Sequence, residues 1–157
     1  MGQLTIEHKE THEERIAKQS PYTSLFRECL MEAQKTSASD IHIEPNSDCL
    51  VIRLRVNGDL YTYKTLDKEY RLSFIQEVKR LSNLSIAISN RPQDSRLSLP
   101  SWKLSLRVNS TPTIYGEKIV LRLLDMTTDF DLKTSNLSEY AMKDLVEAAQ
   151  EKNGVII

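Results

Sequence analysis

The chain has 157 residues, 39% hydrophobic and 27% charged, with 21 Lys and Arg against 22 Asp and Glu. That length supports a core without disulfide or metal staples, and the composition is globular rather than disordered or fibrous. The even charge excludes the basic excess of a non-specific nucleic-acid binder and the polybasic signature of a membrane surface, and no apolar run approaches the roughly 18 residues of a transmembrane helix.

Residues 1–20 form a polar arm in which Leu4, Ile6 and Ile16 are the main apolar side chains. With Glu7, Glu10, Glu13 and Glu14 it does not read as a secretory signal. Ser20-Pro21 pairs a good N-cap with a residue tolerated in the first helical turn. Tyr22, Leu25, Phe26, Cys29, Leu30 and Ala33 then recur at helical spacing, predicting a helix to about Lys35.

Asp40 to Glu44 alternates polar and apolar, which predicts a half-buried strand ended by Pro45. A second strand runs from Leu50 to Val56, with Arg53 and Arg55 on one face. Asn57-Gly58 is a strong hairpin signal, and Leu60 to Tyr63 returns as a third strand. Lys68 to Leu81 predicts a helix whose stripe is Leu72, Ile75, Val78 and Leu81, with Phe74 beside it. Arg91 to Arg96 is a polar segment. Strands resume at Leu97 and Leu99, from Trp102 to Asn109, and from Glu117 or Lys118 to Leu124, with Thr111-Pro112-Thr113 as an interruption. After a polar connector, Ser138 or Glu139 opens a helix carrying Ala141, Leu145, Val146 and Ala149, ended by Asn153-Gly154. Val155-Ile156-Ile157 reads as the start of a strand, so the chain is expected to stop inside a second domain. The fold class expected is α/β (α+β): an antiparallel or mixed sheet of about six strands packed by helices.

The glycines are Gly2, Gly58, Gly116 and Gly154. None are spaced for a Walker A loop or a dinucleotide fingerprint. Cys29 and Cys49 form no CxxC and read as ordinary thiols, which fits a reducing compartment better than a disulfide scaffold. Asp40, His42 and Glu44 share one strand face, because residues i, i+2 and i+4 point the same way. No fourth ligand stands at a recognisable spacing, so a solvated or interface face is expected rather than a metal site. Arg53, Arg55, Arg91, Arg96, Arg107 and Arg122 recur on or beside strands. Their guanidinium groups suit bidentate phosphate recognition, and a sheet face paired with Asp and Glu is the alternative.

Longer motifs narrow this choice. Ala38 to Pro45, ASDIHIEP, resembles a signature segment of the secretion and pilus motor ATPases, the hexameric ATPases of type II secretion, type IV pilus assembly and DNA-uptake pseudopili. Arg53 to Gly58 resembles their R-x-R-[ILV]-[DN]-G strand and turn, and Pro92 to Arg96 their PQDGR. Arg107 to Leu124 resembles their RVSTLPTxxGEKxVLRLL, and Lys152 to Ile157 the segment before their Walker A loop. The motifs stand in family order over residues 21 to 157. Four departures occur: Ser37 and Ser95 replace glycines, Asn109 replaces the first residue of the ST pair, and Ile88, Ser89 and Asn90 replace an acidic residue and two basic ones.

The resemblance implies an organisation of residues 1–20 as arm, 21–126 as a PAS-like α/β module, 127–136 as linker, and 137–157 as the truncated start of a RecA-like ATPase core. It implies a non-catalytic fragment of a motor ATPase, with ATP and Mg2+ bound in the full-length protein, no cofactor expected in the fragment, and no catalytic residue in it. Arg96, Arg107, Arg122 and Arg91 are the implied phosphate contacts of the closed state. Asp40, His42 and Glu44 are implied as signature or interface residues. The implied partners are neighbouring subunits of its own hexamer and the inner-membrane platform and accessory proteins, with no direct nucleic acid. The implied location is cytoplasmic, peripheral at the cytoplasmic face of the bacterial inner membrane. A stand-alone binding or adaptor module and a catalytically inactive ring subunit remain the alternatives.

Overall fold

The computed structural model describes residues 11–17, 20–125 and 137–155. The chain divides into two compact units, Met1–Met126 and Thr127–Ile157. The expected start of the arm, the connector at 127–136, and Ile156 and Ile157 of the strand expected at Val155-Ile156-Ile157 lie outside the described residues; Val155 has no regular secondary structure.

The first unit begins with α1 (His12–Ala17), within the segment expected as an arm. It is docked rather than extended: Ile16 is buried, and the Glu13 carboxylate accepts hydrogen bonds from the Ser101 N–H and hydroxyl at 2.6 and 2.8 Å. Helix α2 (Pro21–Lys35) starts at the expected cap, where the Ser20 hydroxyl accepts from the Thr23 N–H at 3.0 Å. It buries Phe26, Cys29, Leu30 and Ala33 along one stripe. Burial pushes the Cys29 thiol up to about 12, so this cysteine behaves as a small apolar side chain.

Three strands follow as a meander: β1 (Asp40–Pro45), β2 (Cys49–Val56) and β3 (Asp59–Asp67). The β2–β3 turn places Asn57 at φ 51° and Gly58 at φ 92°, the two positive angles a type I′ turn requires. A one-turn 3-10 segment (Lys68–Tyr70) leads into α3 (Arg71–Leu81). The buried arc of α3 differs from the expected stripe. It comprises Phe74, Ile75, Val78, Lys79 and Leu81, while Leu72 is exposed.

A second meander is built from β4 (Gln93–Leu99), β5 (Leu104–Thr113) and β6 (Gly116–Asp125). Arg96 lies within β4 and pairs with Arg107, rather than at the end of a loop. Trp102 belongs to a 3-10 turn between β4 and β5. Pro112 does not interrupt β5. The β4 pairing ends at Gln93–Ser110, so beyond it β5 has a free edge, where proline is tolerated.

The strand order is β3-β2-β1-β6-β5-β4, and every neighbouring pair is antiparallel. The fold class is therefore α+β with six strands. One face of the sheet is apolar, with Ile41, Ile43, Ile52, Leu54, Leu106, Val108, Ile119 and Leu121 buried against Phe26, Leu30, Phe74 and Val78. The alternation of each strand sends the other set of side chains to the opposite face. The second unit contains α4 (Glu139–Gln150), capped by Ser138, whose hydroxyl accepts from the Ala141 N–H at 3.3 Å. None of its side chains is buried within the unit. Among the described residues no helix is long and apolar enough to cross a membrane.

Candidate functional site

The open face of the sheet is organised in rows, because directly paired residues on neighbouring strands point the same way. Asp40 on β1 stands opposite Arg55 on β2 and Arg122 on β6. Arg122 stands opposite Arg107 on β5, and Arg107 opposite Arg96 on β4. One line of five strands thus reads Arg55, Asp40, Arg122, Arg107, Arg96. At the usual interstrand spacing it spans roughly 19 Å. Arg122, Arg107 and Arg96 are consecutive, and like charges directly opposite each other destabilise a sheet.

The row is only partly neutralised. The Arg122 Nε donates to Asp40 Oδ1 at 3.0 Å, and the Arg55 Nε lies 3.5 Å from Asp40 Oδ2. The Ser39 hydroxyl donates to the same carboxylate at 2.8 Å. Arg107 faces Asp94 at 3.4 Å, a pair of exposed groups. The Arg96 side chain makes no ion pair among the described residues. The side chains of Arg122 and Arg107 remain 67% and 66% exposed, which leaves both guanidinium groups able to meet an anion from solvent or from another domain.

Beyond His42 on the same face of β1, Glu44 repeats the arrangement. Glu44 is paired with Arg53 of β2 and with Lys118 of β6, the latter at 2.6 Å. The three polar residues of β1 thus have distinct duties. Asp40 and Glu44 each cross-link two flanking strands, a favourable opposite-charge pairing across a sheet. His42 lies between them with neither ring nitrogen hydrogen-bonded, its Nδ1 4.0 Å from Glu44 Oε1. Burial opposes the ionisation of Asp40, but Ser39 and Arg122 outweigh it and hold the carboxyl below its ordinary range. The same balance, through Lys118 and Arg53, lowers Glu44. Burial and the nearby Lys118 hold His42 low, against Glu44 and Asp40. Among the described residues no group of three or more His, Cys, Asp or Glu is placed to hold a metal ion.

Of the four arginines singled out from the sequence, Arg96, Arg107 and Arg122 fall in the row. Arg91 does not: it is exposed in the bend before β4. The departures from glycine separate. Ser37 adopts φ 53°, so the left-handed conformation is kept with a serine. Ser95 is not among the residues with positive φ and sits in β4 opposite Val108, so a side chain costs no backbone strain there. Sequence reasoning missed Lys79, Gln93 and Glu117. Gln93 and Glu117 lie inside the PQD and GEK motifs, and Lys79 lies on the buried arc of α3. They join a polar network on the core face of the sheet, where the Lys79 Nζ donates to both Glu117 carboxylate oxygens at 2.7 and 2.8 Å.

A family model described as type II/IV secretion system protein matches residues 15–157. The chain belongs to that family. The type II secretion system protein E of Xanthomonas campestris pv. campestris is 32% identical over 145 residues, covering 90% of this chain and 26% of its own length. That of Pseudomonas aeruginosa is 33% identical over 141 residues, covering 88% of this chain and 28% of its own. The type IV pilus assembly ATPase PilB of Thermus thermophilus is 38% identical over 113 residues, covering 71% of this chain and 13% of its own. The chain thus spans less than a third of the length of these relatives. Among solved structures, the pilus retraction motor PilT with bound ADP aligns with a TM-score of 0.43 and 16% identity, over 67% of this chain and 29% of that chain.

Proposed function

We propose that this chain is the N-terminal part of a hexameric motor ATPase for type II secretion or for pilus or pseudopilus assembly, and that its six-stranded unit couples nucleotide state to domain position. On this reading residues 21–126 form the module, 127–136 the linker, and 137–157 the start of the ATPase core. The neighbouring subunits and an inner-membrane platform are its partners at the cytoplasmic face. The observation that carries the reading is the uninterrupted line of Arg122, Arg107 and Arg96 on the open sheet face. Three adjacent cations cost stability in the isolated sheet. That cost has a purpose if an anion meets them in the assembled protein.

ATP with Mg2+, bound in the core, supplies the hydrolysable phosphate. The described residues fit a role in closing over phosphate, not in cradling it, since they offer bidentate donors and no metal-binding group. Arginines on a mobile module neutralise phosphate charge only in the closed arrangement, which ties domain position to nucleotide. Arg107, Arg96 and Arg122 take that role, with Arg91 at the edge. Asp40, His42 and Glu44 hold the strands that present them.

The test is steady-state ATPase activity of the full-length hexamer. Arg107→Ala or Arg96→Ala is expected to lower turnover about tenfold or more, about 1.4 kcal/mol of transition-state stabilisation. Thermal stability should change within about 0.5 kcal/mol, as for other exposed side chains. Near-wild-type turnover in both variants would reject the phosphate role. Lost turnover with a large loss of stability would assign these arginines to internal ion pairs instead.

A further inference from the structure

The Lys79 ammonium is fully buried, and Glu117 is nearly so. Burying such a pair stabilises no better than a well-packed apolar one, so its contribution lies in the geometry it imposes. The Lys79 Nζ has a third partner besides the two Glu117 oxygens: it donates to the Ile88 carbonyl at 2.6 Å. The Gln93 amide donates to that same carbonyl at 2.7 Å and to the Ser85 carbonyl at 3.1 Å, and it accepts from the Ser85 N–H at 2.9 Å. Gln93 pairs with Ser110 across β4 and β5, and the Ser110 hydroxyl donates to Glu117 at 2.8 Å. The circuit closes through Lys79, Glu117, Ser110, Gln93 and Ile88.

We infer that Lys79 is a positioning residue for the arginine row: through the Ile88 carbonyl it fixes segment 84–92, which carries Arg91 and feeds β4 with Arg96. The purpose of this placement rests on the proposed phosphate role; the geometry does not. The segment has no regular secondary structure, yet both of its ends are gripped. Leu84 is buried, and its N–H donates to the Lys79 carbonyl at 2.8 Å. Every hydrogen bond from the Lys79 and Gln93 side chains to the segment is to a backbone atom. The grip is therefore indifferent to the side chains at 88–90, where this chain departs from the family pattern.

The experiment compares the 157-residue chain with Lys79→Met and with the double variant Lys79→Met, Glu117→Gln. The single variant leaves a buried carboxylate unpaired and so tests stability as well as placement. The double variant removes both charges and leaves residue 117 able to accept from Ser110. Amide hydrogen exchange in the double variant is expected to accelerate about tenfold or more at residues 85–91, with β1 and β2 amides within about twofold of wild type. Arginine Nε–H NMR resonances are followed as inorganic tripolyphosphate is added. The response of Arg91 and Arg96 should weaken in the double variant, while that of Arg107 persists. Unchanged exchange at 85–91, or equal acceleration throughout the sheet, overturns the inference. If no arginine of the wild-type chain responds to tripolyphosphate, the phosphate role fails, and the exchange data alone decide the positioning.

Discussion

Asp40 and Glu44 each lie between two cations of neighbouring strands, while His42 between them has no hydrogen-bonded partner. All three have folded-state proton affinities below their ordinary values. For the carboxylates, the folded state binds fewer protons than the unfolded one as acid is added. Their stabilisation is present above the unfolded pKa, near 4, and is lost as pH falls through the folded values. For His42 the unfolded ring protonates first, from about pH 6.5 downward, and stability falls over that range. His12 is lowered by burial and by Arg15, and contributes in the same direction. The melting temperature should therefore be level between about pH 7 and 8, decline below about 6.5, and decline again below about 4; above about 8.5 the buried Cys29 thiol, still protonated in the folded state, lowers stability as pH rises. His42→Gln should flatten the first decline and leave the part owed to His12. Melting curves between pH 5 and 7.5 make the comparison, and an unchanged slope would remove His42 from the account. At this scale the sequence exposes residue types but not register. Arg107 and Arg122 are identifiable as strand arginines and Arg96 as the end of a polar segment, yet nothing in their spacing states that three strands bring them into one line. Lys79 was hidden because a lysine among apolar residues reads as the edge of a stripe.

Helix ends and turns were the most legible elements, because short-range chemistry decides them. Ser20 caps α2 as expected, and Asn57-Gly58 turns the hairpin. On α3 Phe74 is buried and Leu72 exposed because, at about 100° per residue, Phe74 lies about 40° from Val78 around the helix and Leu72 about 120°. Pro112 misled because edge position is a property of the sheet rather than of the strand. The end of α2 shows a local rule obeyed with an unfavourable residue. The Ala38 N–H donates to the Ala33 carbonyl at 2.8 Å and the Ser37 N–H to the Gln34 carbonyl at 3.1 Å, the paired bonds of a Schellman motif. Ser37 takes the left-handed position at φ 53°. A side chain there costs about 1–2 kcal/mol, and glycine returns about 0.5–1 kcal/mol as chain entropy. Ser37→Gly should therefore stabilise the unit by about 0.5–1 kcal/mol, seen as a melting temperature a few degrees higher. A lower melting temperature would mean that the serine side chain contributes more than its backbone strain.

The sheet of the first unit is two meanders, β1-β2-β3 and β4-β5-β6, joined along one seam. The hairpins follow from local signals. The seam does not, because it pairs the first strand with the last, Asp40 with Arg122 and Ile43 with Ile119. The family resemblance implied an α/β module but did not say which strands meet along the seam. This seam has a mechanical consequence. The strands are antiparallel, so the start of β1 and the end of β6 lie at the same end of it. The hydrogen bonds run perpendicular to the strands. Tension between residues 39 and 125 therefore loads them one after another, and the seam opens like a zip. Tension between residues 39 and 115 pulls the two strands lengthwise past each other and loads every bond at once. Single-molecule pulling should give a lower rupture force through the first pair of attachment points than through the second. Equal forces would mean that the helices beneath the sheet carry the load instead of the seam. The seam is thus compliant when its paired strands are peeled from one end and stiff when they are drawn lengthwise past each other.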